Sequence, residues 1–276
     1  MQHLVTAERD TKVTQMVGHA DTMSWPFATL MTPTATAYRP GSRHSESWYK
    51  AELRPGLVTD QTTGLKYAPA AREGNTVWSN FAGWADTEPG HFSSQGFLDL
   101  GGTELLADGV SLGKYGFYGQ GAWDVPAAAT ELELVYDLNR WQRGDYKWES
   151  PTTVETRWKW RSSAADAGKP LPLLFPDYDL AVDLNDRAPR VPVFPISITT
   201  QSGQWYKPGC LTSARVWASY DDGATWTQAP VTNVGTKAVA MVNNSKATSF
   251  VTLKVELTDS NGKSVTQTLT RFYGTR

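Results

Sequence analysis

Gly109-Val-Ser111-Leu-Gly113 spells the G-x-S-x-G pattern of a nucleophile elbow. That chemistry needs a strand, a strained turn and then a helix, so that the serine hydroxyl is lifted toward an oxyanion hole. Here the turn pair Asp108-Gly109 precedes the serine and a glycine-rich, non-helical run follows it. Ser111 therefore reads as a residue on a return strand. A hydrolytic triad also needs a histidine held by a carboxylate. The four histidines are His3, His19, His44 and His91, all in the first third of the chain. None has metal-ligand spacing, and turn-rich surroundings predict surface or loop positions. Cys210 follows Pro208-Gly209 with no partner near it in sequence, and reads as a small half-buried residue.

Ser219-Tyr-Asp221-Asp-Gly223-Ala-Thr-Trp226 matches the Asp-box pattern S-x-D-x-G-x-x-W. Its serine and aspartate satisfy backbone groups of the turn while the tryptophan packs across it, so Ser219, Asp221, Gly223 and Trp226 are expected to form a structural staple. Aromatic side chains outside alternating strands are candidates for a different task. Trp141, Tyr146 and Trp148 in one loop, with Trp78 and Trp84 in another, offer flat faces that stack on sugars or plug the ends of a sandwich. Arg143-Gly-Asp145 is a three-residue match that a turn explains. Asp177, Asp179 and Asp183 lie near one another in sequence and could hold Ca²⁺, but no spacing resembles an EF-hand loop, so no metal site is assigned, and no cofactor is expected.

These candidates hang on β structure. Val154, Thr156, Trp158 and Trp160 alternate with Glu155, Arg157, Lys159 and Arg161, which predicts a strand with both tryptophans in a core. Leu132, Leu134, Tyr136 and Leu138 share one side of another strand. Asp108-Gly109 and Asn261-Gly262 are hairpin turns, joining Gly102–Ala107 to Val110–Lys114 and Ser249–Thr258 to Ser264–Tyr273. Pro55 to Asn75 reads as a loop. With 12 Trp, 23 Gly and 16 Pro, and no helical periodicity beyond about two turns, the fold class is all-β.

A length of 276 residues suits two domains. Residues 1–168 read as a jelly-roll-like β-sandwich and 196–276 as an immunoglobulin- or fibronectin-III-like one. Between them, 169–195 carries prolines at 170, 172, 176, 189, 192 and 195 and reads as a stiff extended joint. A net charge of −2 with scattered basic residues gives no electrostatic reason to expect nucleic acid or a membrane as partner. No apolar run approaches a membrane span, and the first ten residues lack the basic start and apolar core of a signal peptide.

Leu105-Leu-Ala-Asp-Gly-Val-Ser-Leu-Gly113, Trp123-Asp-Val-Pro126 and Leu134-Val-Tyr-Asp137 resemble a recurring stretch in the C-terminal regions of secreted subtilisin-like serine peptidases of actinobacteria. The likeness continues in order through Thr156-Arg-Trp-Lys-Trp-Arg161, Leu171-Pro-Leu-Leu174, Tyr178-Asp-Leu180, Asp183-Leu184 and Val216-Trp-Ala-Ser-Tyr-Asp-Asp-Gly-Ala-Thr-Trp226. It ends with Val255-Glu-Leu-Thr-Asp259 and Arg271-Phe-Tyr-Gly274, so it covers about residues 76–276. The family's catalytic signatures, D-S/T-G, H-G-T and G-T-S-M-A, have no counterpart here. The resemblance implies a secreted, non-catalytic accessory region that serves an upstream or separate peptidase domain by positioning it, stabilising it or binding substrate. The alternative is a carbohydrate- or cell-surface-binding module that uses the loop aromatics, with a protein or polysaccharide surface as partner. A free-standing hydrolase would need a histidine within reach of Ser111.

Overall fold

The computed structural model describes residues 17–19, 29–31, 43, 48, 50, 54–60, 63–87, 91–93, 99–116, 119–140, 149–201, 203 and 205–276. Among them the protein is all-β, with two single-turn 3-10 helices at Ala164–Asp166 and Asn244–Lys246. The sheets are antiparallel apart from one short parallel pairing, and none closes into a barrel. The largest sheet has nine strands. Its path runs Thr227–Ala229, Leu211–Ser219, Phe250–Asp259, Ser264–Thr275, Thr153–Ser162, Thr130–Asn139, Leu100–Ala107, Val110–Tyr115, and Arg187–Ala188 joins Ser264–Thr275 in parallel.

Two four-stranded sheets complete the sandwich. One contains Gln120–Asp124, Thr76–Asn80, Ala70–Glu73 and Lys169–Pro170. The other contains Phe175–Leu180, Phe194–Gln201, Lys237–Val242 and Val231–Val234. They meet the large sheet through rings: Phe81 and Phe175 lie on Trp158, Tyr178 on Phe272, and Phe194 on Tyr273. Packing a second layer over an apolar sheet face is what hides that face from water. The short strands Arg54–Gly56, Ala82–Ala85 and Phe92–Ser93 form a further sheet, as do Val17–His19 and Thr29–Met31.

The alternation read in the sequence sets which face is buried. Val154, Thr156, Trp158 and Trp160 are buried, and their neighbours Glu155, Lys159 and Arg161 are exposed. Burying one indole removes about 150–250 Å² from water, an upper estimate of about 4–6 kcal/mol at roughly 25 cal/mol per Å². The Trp158 indole N–H donates to the Leu174 carbonyl at 2.6 Å, so its polar atom is satisfied in the core.

The two halves expected on either side of 169–195 are fused. Thr153–Lys159 pairs with Ser264–Thr270, and one inward row runs Leu105, Leu134, Trp158, Val265, Leu257, Ala214 across both. A single buried cluster contains apolar residues from each half. Nor is the proline-rich segment a spacer. Leu171, Leu173, Leu174, Phe175, Tyr178 and Leu180 are buried in that cluster, and Phe175–Leu180 is an edge strand. The edge position reconciles Pro176 with strand structure, because an edge strand tolerates a missing N–H. Prolines marked the segment as extended; the leucines between them carry it into the core.

Candidate binding surface

Trp78 lies on the outward face of the Gln120–Asp124, Thr76–Asn80, Ala70–Glu73, Lys169–Pro170 sheet. The direction follows from alternation: Val77 and Ser79 are buried, whereas Thr76 and Trp78 are half-buried and Asn80 is exposed. Register places Ala71 and Ala122 directly beside Trp78, with Pro170 beyond Ala71. At about 4.8 Å between strands, this Pro–Ala–Trp–Ala row spans about 14 Å. The small neighbours leave the indole as its one tall feature.

Polar rows flank it on both sides. Asn80 pairs in register with Gln120, and Thr76 stands between Glu73 and Asp124. The Trp78 indole N–H donates to the Glu73 carboxylate at 3.0 Å, and the Thr76 hydroxyl donates to Asp124 at 3.3 Å. Among the described residues neither carboxylate is in an ion pair, and no ring or cation covers the Trp78 face. Arg72, the basic residue of this sheet's second strand, points inward. It is buried and donates to Ser162, Pro126 and Gly74.

The other tryptophans differ. Trp84 was a binding candidate, and the structure corrects it: it is fully buried with the Arg140 guanidinium 4.0 Å from its ring centre. Its strand, Ala82–Ala85, is buried at all four positions and has no outward face. Trp141, Tyr146 and Trp148, like Arg143-Gly-Asp145, lie outside the described residues. Trp217 and Trp226 are half-buried, but the Lys254 ammonium lies over both rings, at 4.5 Å and 5.4 Å. Trp48 is stacked on His91.

The Asp-box has the geometry its residues require. The Ser219 hydroxyl accepts from the Gly223 amide at 2.8 Å and bonds Asp221 at 2.7 Å. Asp221 accepts from the Thr225 amide at 2.8 Å and the Thr225 hydroxyl at 2.6 Å. The Thr225 hydroxyl, then Ser219 and the Thr225 amide, hold the Asp221 carboxyl down to about 2. The side-chain oxygens of Ser219 and Asp221 are spent on their own turn, and Gly223 adopts φ 96°.

Ser111 is exposed on a hairpin strand, and its hydroxyl accepts from the Gly113 amide at 3.2 Å. No histidine bonds it among the described residues. The side chains of His3, His19 and His44 lie outside them. His91 was expected in a surface or loop position. It lies outside any strand, as a loop residue would, but it is buried, with Nδ1 3.1 Å from the Asp86 carboxylate. Cys210 is exposed where half-burial was expected. Asp177 pairs with the buried Arg54 guanidinium, and Asp183 accepts from the Asn185 and Arg187 amides and pairs with Arg276. These aspartates thus close turns and ion pairs, and the described residues contain no group of three or more potential metal ligands.

Glu73, Asn80, Gln120 and Asp124 were not singled out from the sequence. The signal for Asn80 was present, since it shares parity with Trp78 in Thr76-Val-Trp-Ser-Asn80. Glu73, Gln120 and Asp124 come from neighbouring strands whose register no local pattern fixes. Comparison of the chain with protein-family models, with curated proteins and with solved structures finds no match.

Proposed function

We propose that this chain is a non-catalytic accessory region of a secreted subtilisin-like serine peptidase. In this reading it is an extracellular module that holds a substrate or cell-surface polymer on the sheet face around Trp78. The observation that carries the binding role is the state of Trp78, an indole whose N–H is fixed by Glu73 while no described ring or cation occupies its face. Flat aromatic surfaces with a satisfied polar edge stack well on the apolar faces of polymers. The link to a peptidase rests on the ordered resemblance over residues 76–276.

Two measurements test the proposal. The purified chain is expected to show no proteolysis sensitive to a serine-directed reagent, and to co-sediment with insoluble polysaccharide or cell wall in a manner lost on Trp78→Ala. In culture medium of the producing organism, antibody depletion of this chain is expected to remove serine-reagent-sensitive proteolysis with it. Proteolysis by the isolated chain, or depletion that leaves the medium's activity unchanged, rejects the accessory role.

A further inference from the structure

We propose that the Trp78 face selects an amino-sugar polymer bearing free ammonium groups over neutral and anionic polymers, a step that rests on the binding reading above. The argument is one of charge and shape. Glu73 and Asp124 stand on one row of the outward face, one strand either side of Thr76, about 10 Å apart at two strand spacings. Both are exposed, and each accepts a single described hydrogen bond, from Trp78 and Thr76 respectively. The cations of this sheet are directed elsewhere: Arg72 is turned into the core, and Lys169 on the edge strand pairs with Asp166.

A carboxylate pair beside a half-buried indole that no described ring or cation occupies attracts cations twice over, through the charges and through the negative face of the ring. An anionic polymer is repelled by the same carboxylate pair. The flat Pro170–Ala71–Trp78–Ala122 row suits a sugar ring laid on the indole. On its far side, the Asn80 and Gln120 amides both donate and accept, as reading hydroxyl groups requires. A basic peptide would engage the carboxylates, but oligolysine has no flat ring face to lay on the indole.

Binding is measured by calorimetry at low salt with four probes: chitosan oligosaccharides, cello-oligosaccharides, oligogalacturonate and oligolysine of similar length. The wild-type chain is expected to bind the chitosan probe at least about tenfold more tightly than each of the others. Glu73→Gln keeps an acceptor for the Trp78 N–H while removing charge, and Asp124→Asn removes the second charge. Each is expected to reduce the preference for chitosan several-fold, and Trp78→Ala to abolish binding while lowering the melting temperature by no more than about 2–4 °C. Equal binding of chitosan and cello-oligosaccharides, unaltered by either charge substitution, overturns this inference while leaving a polymer-binding face intact. Oligolysine binding as tight as chitosan overturns the choice of a sugar. Binding of none of the probes or of cell wall, or full binding by Trp78→Ala, brings down the face itself.

Discussion

Asp222 and Arg271 both adopt left-handed backbone conformations, at φ 56° and 51°, and face each other across a two-point ion pair. The Arg271 Nε lies 2.9 Å from one Asp222 oxygen, and Nη2 lies 2.6 Å from the other. Asp222 sits at the tip of the Asp-box turn, and Arg271 interrupts the last strand where its pairing with Phe250–Asp259 slips register. The guanidinium holds the Asp222 carboxyl below its ordinary range. The pair thus ties a turn in one sheet edge to a bulge in its centre, and each end adopts a conformation that side chains other than glycine rarely take.

Partly exposed ion pairs contribute little each, about 0.2–1 kcal/mol in double-mutant cycles. Asp222→Ala is expected to destabilise the protein by about 1 kcal/mol, because it loses the pair and keeps the left-handed turn. Asp222→Gly is expected to cost less, since glycine accepts that conformation. Urea unfolding of both variants, with Arg271→Ala and the double mutant completing a cycle, measures the coupling. A coupling indistinguishable from zero would remove the pair from the account of stability.

Asp221 gives a pH prediction with a definite sign. Its carboxyl is held at about 2 in the fold against an ordinary value of 3.8. A depressed folded value contributes stability above the unfolded value, and that contribution is lost as pH falls through the folded one. The turn is therefore expected to hold at pH 4 and loosen toward pH 2. The Thr225 amide, which donates to Asp221, reports this directly: its proton chemical shift in NMR should titrate with a midpoint near 2. In Asp221→Asn that titration should vanish. A midpoint near 4 in the wild-type chain contradicts the hydrogen-bonded geometry.

A buried polar relay links the two halves. The Tyr178 hydroxyl donates to Gln267 Oε1 at 2.7 Å, and Gln267 Nε2 donates to the Thr156 hydroxyl at 2.8 Å, with all three residues buried. Gln267→Leu strands the partners at both ends and is expected to cost about 1–3 kcal/mol. Since sheet and core run through both halves, the wild-type chain should melt in one calorimetric transition whose van't Hoff and calorimetric enthalpies agree. Two separated peaks, with Gln267→Leu shifting only one, would show that the halves unfold independently.

The sequence announced what alternation and turn chemistry control. Trp158 and Trp160 had to face inward because charged residues filled the other parity, and Asp108-Gly109 does turn with positive φ at both positions. It was silent where a strand is too short to alternate. Ala70–Glu73 fell within the expected loop because two alanines carry no pattern and its third residue is an arginine, buried only because Ser162 and two carbonyls receive it. The fusion of the halves was hidden for a related reason. Which strand lies beside Thr153–Ser162 is decided by long-range pairing, whereas the prolines at 170 to 195 gave a strong local cue for separation. His91 does lie outside any strand, but its burial was not legible because its partners, Asp86 and Trp48, meet it only through tertiary structure.

Trp78 and Trp84, six residues apart, test the binding surface against plain core packing. Trp84 is sealed in a strand buried on both sides, so Trp84→Ala opens a cavity and should cost about 3–5 kcal/mol. Trp78 is half-buried on the outward sheet face between a buried and an exposed alanine, so its truncation opens no sealed cavity and is expected to cost about 1 kcal/mol. Trp78→Ala should therefore unfold within about 2–4 °C of the wild type, yet lose polymer binding. Trp84→Ala should melt far lower and, at temperatures where it remains folded, bind as the wild type does. Thermal melts and co-sedimentation on the same two variants make the comparison. If Trp78→Ala instead costs several kcal/mol, its indole is a structural plug, and the Trp78 face loses its standing as a site.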